Sequence, residues 1–240
     1  MSGWTTMVFI NEQTTIILST SSTIAFSQTP DDRGYIVYVG DDSPNFVLNF
    51  PNGTQISLSD LEGQVTMLQF TASWCHVCRE EMPHIEKEIW KVYKNMGLNV
   101  IGIDRDEPAD IITKFAKEVQ VTYPIALDPG ADIFALFADR NSGVTRNIIL
   151  GPDGKIVFLT RLFEIQEFDD MKRVIHSLVE NRLKEQKNSL AAKKQIISQL
   201  KKQQSPSERY STRKLETDLY KAERALNRKE RRLALAKLKL

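Results

Sequence analysis

An α/β fold with a mixed central sheet, followed by a long-helix extension, is what this sequence predicts, and three observations predict it. Between residues 65 and 138 short apolar runs alternate with helix-period segments, the pattern of strands joined by crossover helices. Two further apolar runs flank Gly151-Pro152-Asp153-Gly154, which closes as a hairpin and adds antiparallel strands. From about Phe168 the chain becomes charged helix with leucines seven apart.

Taken in order, residues 1–33 read as a leader or disordered arm, ending in Pro30-Asp31-Asp32. Residues 14–26 have the apolar character of a weak export signal, and Ala25-Phe26-Ser27 resembles a small-x-small cleavage site. No Lys or Arg precedes Arg33, so the usual basic start is missing, and a strand-forming or disordered extension stays open. Residues 34–180 form the main domain. Residues 35–39 (YIVYV) are a β-rich run, and 46–50 with 55–58 flank Pro51-Asn52-Gly53 as a hairpin. Residues 59–63 make a short capped turn, and 65–70 (VTMLQF) a buried strand. A helix then runs to about Tyr93, with Ile85, Ile89 and Val92 on one face and Pro83 expected to kink it. Strands follow at 99–104 and 123–127, a helix at 108–119 with Pro108 in its first turn, and a short helix at 131–138. Residues 146–150 and 156–162 are the final hairpin strands. Right-handed crossovers put the loop after 65–70 at the C-terminal edge of the sheet, where chemistry commonly collects.

Residues 181–240 are expected to be a basic helical hairpin or coiled-coil tail. Leu183, Leu190 and Ile197 are seven apart, Ser205-Pro206-Ser207 interrupts the run, and Leu219, Leu226, Leu233 and Leu240 resume it, with Lys229 spoiling one seam position. The net charge of +1 conceals an asymmetry: residues 182–240 hold 18 Lys and Arg against 6 Asp and Glu, whereas residues 1–181 hold 14 against 25. Two physically distinct regions follow. The tail suits self-association or binding to a polyanion. Nucleic acid is disfavoured because aromatics are few (Tyr210 and Tyr220) and no base-reading motif is visible. No run of about 18 apolar residues exists, so no transmembrane helix is expected.

The chemistry points to Cys75 and Cys78, the only cysteines in 240 residues. Two intervening residues close too small a loop to staple a fold. A strand-to-helix turn instead sets Cys75 at a helix N-terminus, where unpaired N–H groups favour a thiolate, the form that attacks disulfides. Cys75 is therefore assigned as nucleophile and Cys78, one turn into the helix, as resolver. His76, when protonated, would lower the Cys75 pKa further, or is simply solvated. Trp74 shields the pair and offers a flat contact surface, or packs in the core. A zinc half-site is disfavoured because His76, His84 and His176 supply no second ligand pair. No metal and no organic cofactor is called for.

Residues 40–162 resemble the TlpA/ResA-like branch of the thioredoxin superfamily. The residues that carry this are Leu58-Ser59-Asp60-Leu61-Glu62-Gly63, Trp74-Cys75-His76-Val77-Cys78-Arg79-Glu80-Glu81-Met82-Pro83, the 100–104 strand and Gly151-Pro152-Asp153-Gly154-Lys155-Ile156. The resemblance implies a thioredoxin-like three-layer sandwich with an element inserted after the second core strand. It also implies a periplasmic or cell-envelope location, cytoplasm being the alternative, and a Bacteroidetes-like origin. Its activity would be a thiol–disulfide oxidoreductase that reduces exported proteins, fed by an upstream thiol donor. Glu81 falls where the branch carries an acid that tunes the pair or relays a proton, or is an ordinary surface glutamate on a helix. The branch's cis-proline is replaced by Val144-Thr145, so a trans bond or strain is expected there, with Thr145 placed to bond near Cys75. Arg146 raises a thiol peroxidase as the alternative, since peroxiredoxins use an arginine near this place; Ala72, where they carry threonine, argues against it.

Overall fold

In the computed structural model of the protein, residues 33–203, 209–238 and 240 are described. The arm at 1–32, with its signal-like stretch, and the interruption at Ser205-Pro206-Ser207 lie outside the described residues. Seven strands, β1 (Val47–Asn49), β2 (Gln55–Ser57), β3 (Val65–Thr71), β4 (Leu98–Arg105), β5 (Ile125–Asp128), β6 (Arg146–Leu150) and β7 (Ile156–Arg161), form one sheet in the order β2-β1-β5-β4-β3-β6-β7. β3 lies parallel to β4 and antiparallel to β6. All seven of its residues are buried, as a strand covered on both faces requires. On one face Phe70 packs edge-on against Phe134, with centroids 5.3 Å apart. The opposite face, carrying Gln69, lies under the first helix.

That helix starts as α1 (His76–His84), passes through a π-helical segment (Ile85–Trp90) and ends as α2 (Lys91–Tyr93). Pro83 cannot donate to the carbonyl one turn back. The expected kink is taken up as a change of ladder: the Ile85 N–H is shared between the Glu81 and Met82 carbonyls, and wider π bonds follow. Ile85, Ile89 and Tyr93 stay buried beneath the sheet while Val92 is half-buried. α3 (Ala109–Glu118) buries Ile112 and Phe115, and with β5 it forms the element inserted after β4.

Two local expectations change. Residues 35–39 form no strand; Tyr35 makes a single bridge to Ala138, and its hydroxyl donates to the Thr160 carbonyl at 2.6 Å. The segment therefore straps the sheet rather than extending it. The short helix at 131–138 resolves into two 3-10 turns, Pro129–Ala131 and Phe134–Leu136. Gly130 and Ala131 take left-handed φ of +72° and +57°, which interrupts the run, and Asp128 accepts the Ile133 and Phe134 N–H groups beyond the break at 2.8 and 2.9 Å.

The final helix α4 (Ile165–Gln203) starts before Phe168 and runs unbroken through position 181, so the boundary expected there falls inside one helix. Phe168, Met171, Ile175, Val179 and Leu183 are buried at three- and four-residue spacing, the stripe of a helix docked on a core. Beyond Leu183, α4 pairs with α5 (Arg209–Lys237). Lys187 meets Glu230 at 3.0 Å, Lys194 meets Glu223 at 3.1 Å, and Lys201 meets Glu216. Each seven-residue step forward on α4 matches seven back on α5, so the helices are antiparallel. Leu226 and Leu233 are buried in the seam. Arg182 roots this arm: its Nε donates to the Gly63 carbonyl at 2.6 Å. Its guanidinium also lies against Gly97, where a Cβ would collide with Nη1. Gly63 and Gly97 precede β3 and β4, so the arm leaves the edge of the sheet opposite the cysteines.

Candidate active site

Cys75 caps α1: its Sγ accepts the Cys78 N–H at 3.2 Å. Both thiols are free, Cys78 is buried, and Cys75 is partly exposed. The Thr145 hydroxyl sits 3.0 Å from each sulfur. The Cys78 thiol, the Thr145 hydroxyl and the N–H groups of Cys78 and Val77 together hold the Cys75 pKa down at about 6, against the opposing effect of burial. Cys78 moves the other way: burial first, then the Cys75 sulfur, push its thiol far above the ordinary range. One sulfur is thus a thiolate near neutral pH while its partner keeps its proton.

Thr145 reaches both sulfurs because its backbone is bent to put it there. Its φ is +65°, left-handed for a β-branched residue, a conformation that costs about 1–3 kcal/mol. Two bonds fix it: its N–H donates to the Phe70 carbonyl at 3.1 Å, and its carbonyl accepts the Leu162 N–H at 2.9 Å. Among the described residues no peptide bond is cis.

Behind the sulfurs lies a buried polar network that sequence reading names only at Glu81. Asn147 Nδ2 donates to Glu81 Oε1 at 2.6 Å, Gln69 Nε2 donates to Oε2 at 3.2 Å, and the Tyr123 hydroxyl donates to Gln69 Oε1 at 2.7 Å. Gln69 and Asn147 face each other across β3 and β6. Burial raises the Glu81 pKa to about 7 despite these donors, and the nearby Cys75 charge adds to the rise. The signal was present in the sequence: Gln69 and Asn147 are polar residues inside strands that are otherwise apolar, and buried polar groups pair.

A second missed group positions the loop before the cysteines. Glu107 accepts both the Ser73 N–H at 2.5 Å and its hydroxyl at 2.6 Å. From the other side, Arg79 Nε donates to the Ser73 carbonyl at 2.6 Å and Nη1 meets Glu118 at 3.0 Å. Asp104, buried at the end of β4, is pushed up to about 8 by burial and then by the charge of Glu107.

The remaining expected residues separate. Trp74 is 64% exposed beside Cys75, so it does not pack in the core. His76 is exposed on the first turn of α1. Arg146 lies on the opposite face of β6 from Asn147: its guanidinium donates to the Arg33 carbonyl at 2.6 Å and stacks on Tyr35 at 4.6 Å. It braces the strap, and none of these contacts reaches a sulfur. Among the described residues no three His, Cys, Asp or Glu side chains gather so as to hold a metal ion.

Comparison with known proteins agrees with this geometry. Residues 39–159 match the AhpC/TSA family. A thiol-disulfide oxidoreductase ResA of Bacillus cereus is 32% identical over 119 residues, covering 50% of this chain and 67% of that protein. ResA of Bacillus subtilis is 33% identical over 118 residues, covering 49% and 64%. Among solved structures, a candidate protein disulfide isomerase from Bacteroides thetaiotaomicron is 52% identical with a TM-score of 0.60, covering 61% of this chain and 93% of that one. A candidate thiol:disulfide interchange protein DsbE from Chlorobium tepidum is 26% identical with a TM-score of 0.54, covering 60% and 99%.

Proposed function

We propose that this chain, which belongs to the AhpC/TSA family and within it to the TlpA/ResA-like branch, reduces disulfides of exported proteins in the cell envelope. It is a thiol–disulfide oxidoreductase. The observation that carries it is the split between the two sulfurs, with Cys75 at about 6 and Cys78 held protonated, both bonded to Thr145.

The Cys75 thiolate attacks a substrate disulfide, forming a mixed disulfide and releasing one substrate thiolate, which takes a proton. Cys78 then loses its proton and attacks the Cys75 sulfur. The second substrate thiol leaves, and the enzyme is left as a Cys75–Cys78 disulfide. An upstream dithiol returns it to the reduced form. Glu81, three residues beyond Cys78 on the same helix, has a pKa of about 7, suited to accept the Cys78 proton at that step. Thr145 orients both sulfurs, and Trp74 meets the substrate.

Cys75→Ser is expected to abolish disulfide reduction, and Cys78→Ser to accumulate mixed disulfides with substrate. A redox titration in dithiothreitol or glutathione buffers tests the direction. A two-electron potential toward about −270 mV fits a reductase, and one near about −120 mV would reverse the proposed electron flow. Absence of a reversible transition would sink the disulfide-exchange reading.

A further inference from the structure

We infer that the outward face of α5 binds a membrane surface bearing anionic phospholipid, a role separate from the dithiol chemistry. The argument begins with where the charges of α5 point. Glu216, Glu223 and Glu230 all turn inward, each bonded to a lysine of α4. The fourth acid described on this helix, Asp218, stands at the edge against Lys221 at 3.9 Å. At 100° per residue the face opposite the buried Leu226 carries Lys214, Lys221 and Arg228 in one row and Arg224 with Arg231 in a second. Arg213 and Arg232 flank them, and every one of these side chains is exposed. The antiparallel pairing has therefore sorted the helix: its glutamates face the lysines of α4 and its outward face is left to cations.

Apolar groups lie on the same face. Tyr220 is 59% exposed and Leu235 62%, and Leu238, just past the end of α5, is 83% exposed. Cations interleaved with exposed aliphatic side chains on one side of a helix suit a headgroup layer, where the charges meet lipid phosphates and the aliphatic groups enter the acyl boundary. Nucleic acid would be served by the cations alone and gains little from Leu235 and Leu238. The acidic balance of residues 1–181, 25 Asp and Glu against 14 Lys and Arg, repels the same surface, so the arm approaches it first. The root of the arm at Arg182 lies at the sheet edge opposite Cys75, which leaves the dithiol clear of the bound surface.

Co-sedimentation of the full chain with vesicles tests this. Binding is expected to mixed phosphatidylglycerol–phosphatidylcholine vesicles, with little to phosphatidylcholine alone, and to fall about tenfold as salt rises from low to several hundred millimolar. Arg224→Gln/Arg228→Gln/Arg231→Gln should lower partitioning by a similar factor, with helix content and disulfide reduction unchanged. Leu235→Ser/Leu238→Ser should lower it by less. Failure of the wild-type chain to bind anionic vesicles at low salt overturns the inference. So does equal binding to neutral vesicles, or preferential capture by duplex nucleic acid in competition. Disulfide reduction measured on the same samples is independent of all these outcomes.

Discussion

The network behind the cysteines and the ion ladder of the arm are both built from paired carboxylates, and they work in opposite ways. Glu81 is nine-tenths or more buried and meets two neutral amides, Asn147 and Gln69, with no cation in the pair. Its carboxyl is destabilised as an anion and titrates near neutrality. Glu216, Glu223 and Glu230 lie at the surface against lysines, where water screens the attraction and each pair is worth about 0.2–1 kcal/mol. The buried carboxylate is adjustable and chemical, whereas the exposed ones fix a register. The lesson concerns solvent more than charge: the same functional group titrates near neutrality where water is excluded and serves as a strut where it is not.

The sharpest way to break the contrast is to remove the titration at Glu81. A folded-state pKa raised from 4.5 to about 7 gives stability that is complete below pH 4.5 and is lost as pH rises through 7. Between those limits the loss is about 3 kcal/mol. Glu81→Gln should remove this decline from the pH dependence of urea-denaturation stability between pH 5 and 7, measured against wild type on the reduced protein so that the Cys75 and Asp104 contributions cancel, and should slow the resolving step. A pH dependence unchanged from wild type would remove Glu81 from the account.

Asn147→Ala tests the same network from the donor side. It strands a buried carboxylate oxygen, so a destabilisation of about 1–3 kcal/mol is expected in chemical denaturation, together with a further rise in the Glu81 pKa. Thr145→Ala removes one donor from the Cys75 thiolate while leaving the backbone strain. The Cys75 pKa should then rise from about 6, read from the pH dependence of alkylation by iodoacetamide. No movement would mean that Thr145 positions the sulfurs without stabilising charge. The smallest effect belongs to the ladder. Lys194→Ala should cost no more than about 1 kcal/mol, and less in high salt. A larger loss would show that the arm relies on its ion pairs more than surface screening allows.

Legibility followed sequence distance. Cys75 and Cys78 announced themselves because their chemistry is local: a strand, a turn and a helix start within a dozen residues. The strand at 65–70 was readable from its unbroken apolar run, and the basic tail from composition and leucine spacing. Gln69 and Asn147 were missed because their meaning depends on β3 and β6 becoming neighbours, which periodicity within either segment does not encode. Glu107 was missed for the same reason: it reaches Ser73 from the loop after β4. Thr145 was noticed through the absent proline, yet its left-handed backbone arises from bonds to Phe70 and Leu162. Likeness to peroxiredoxins puts Arg146 near the cysteines, whereas strand alternation sends its side chain to the other face of the sheet, onto Arg33 and Tyr35.

The π-helical segment at Ile85–Trp90 acts as a phase shifter. An α-helix advances about 100° per residue, so the one-residue widening of the ladder resets the azimuth of everything downstream. Upstream, Cys78 and Glu81 are aimed at the sheet; downstream, Tyr93 is aimed at α4, where its hydroxyl lies 3.2 Å from His176 Nδ1. Were the same residues wound as an unbroken α ladder, Tyr93 would turn through roughly a quarter of a circle, away from His176. The helix thus serves two clients at different angles, the dithiol at one end and the root of the arm at the other, and the same residues in a plain α-helix would face only one of them.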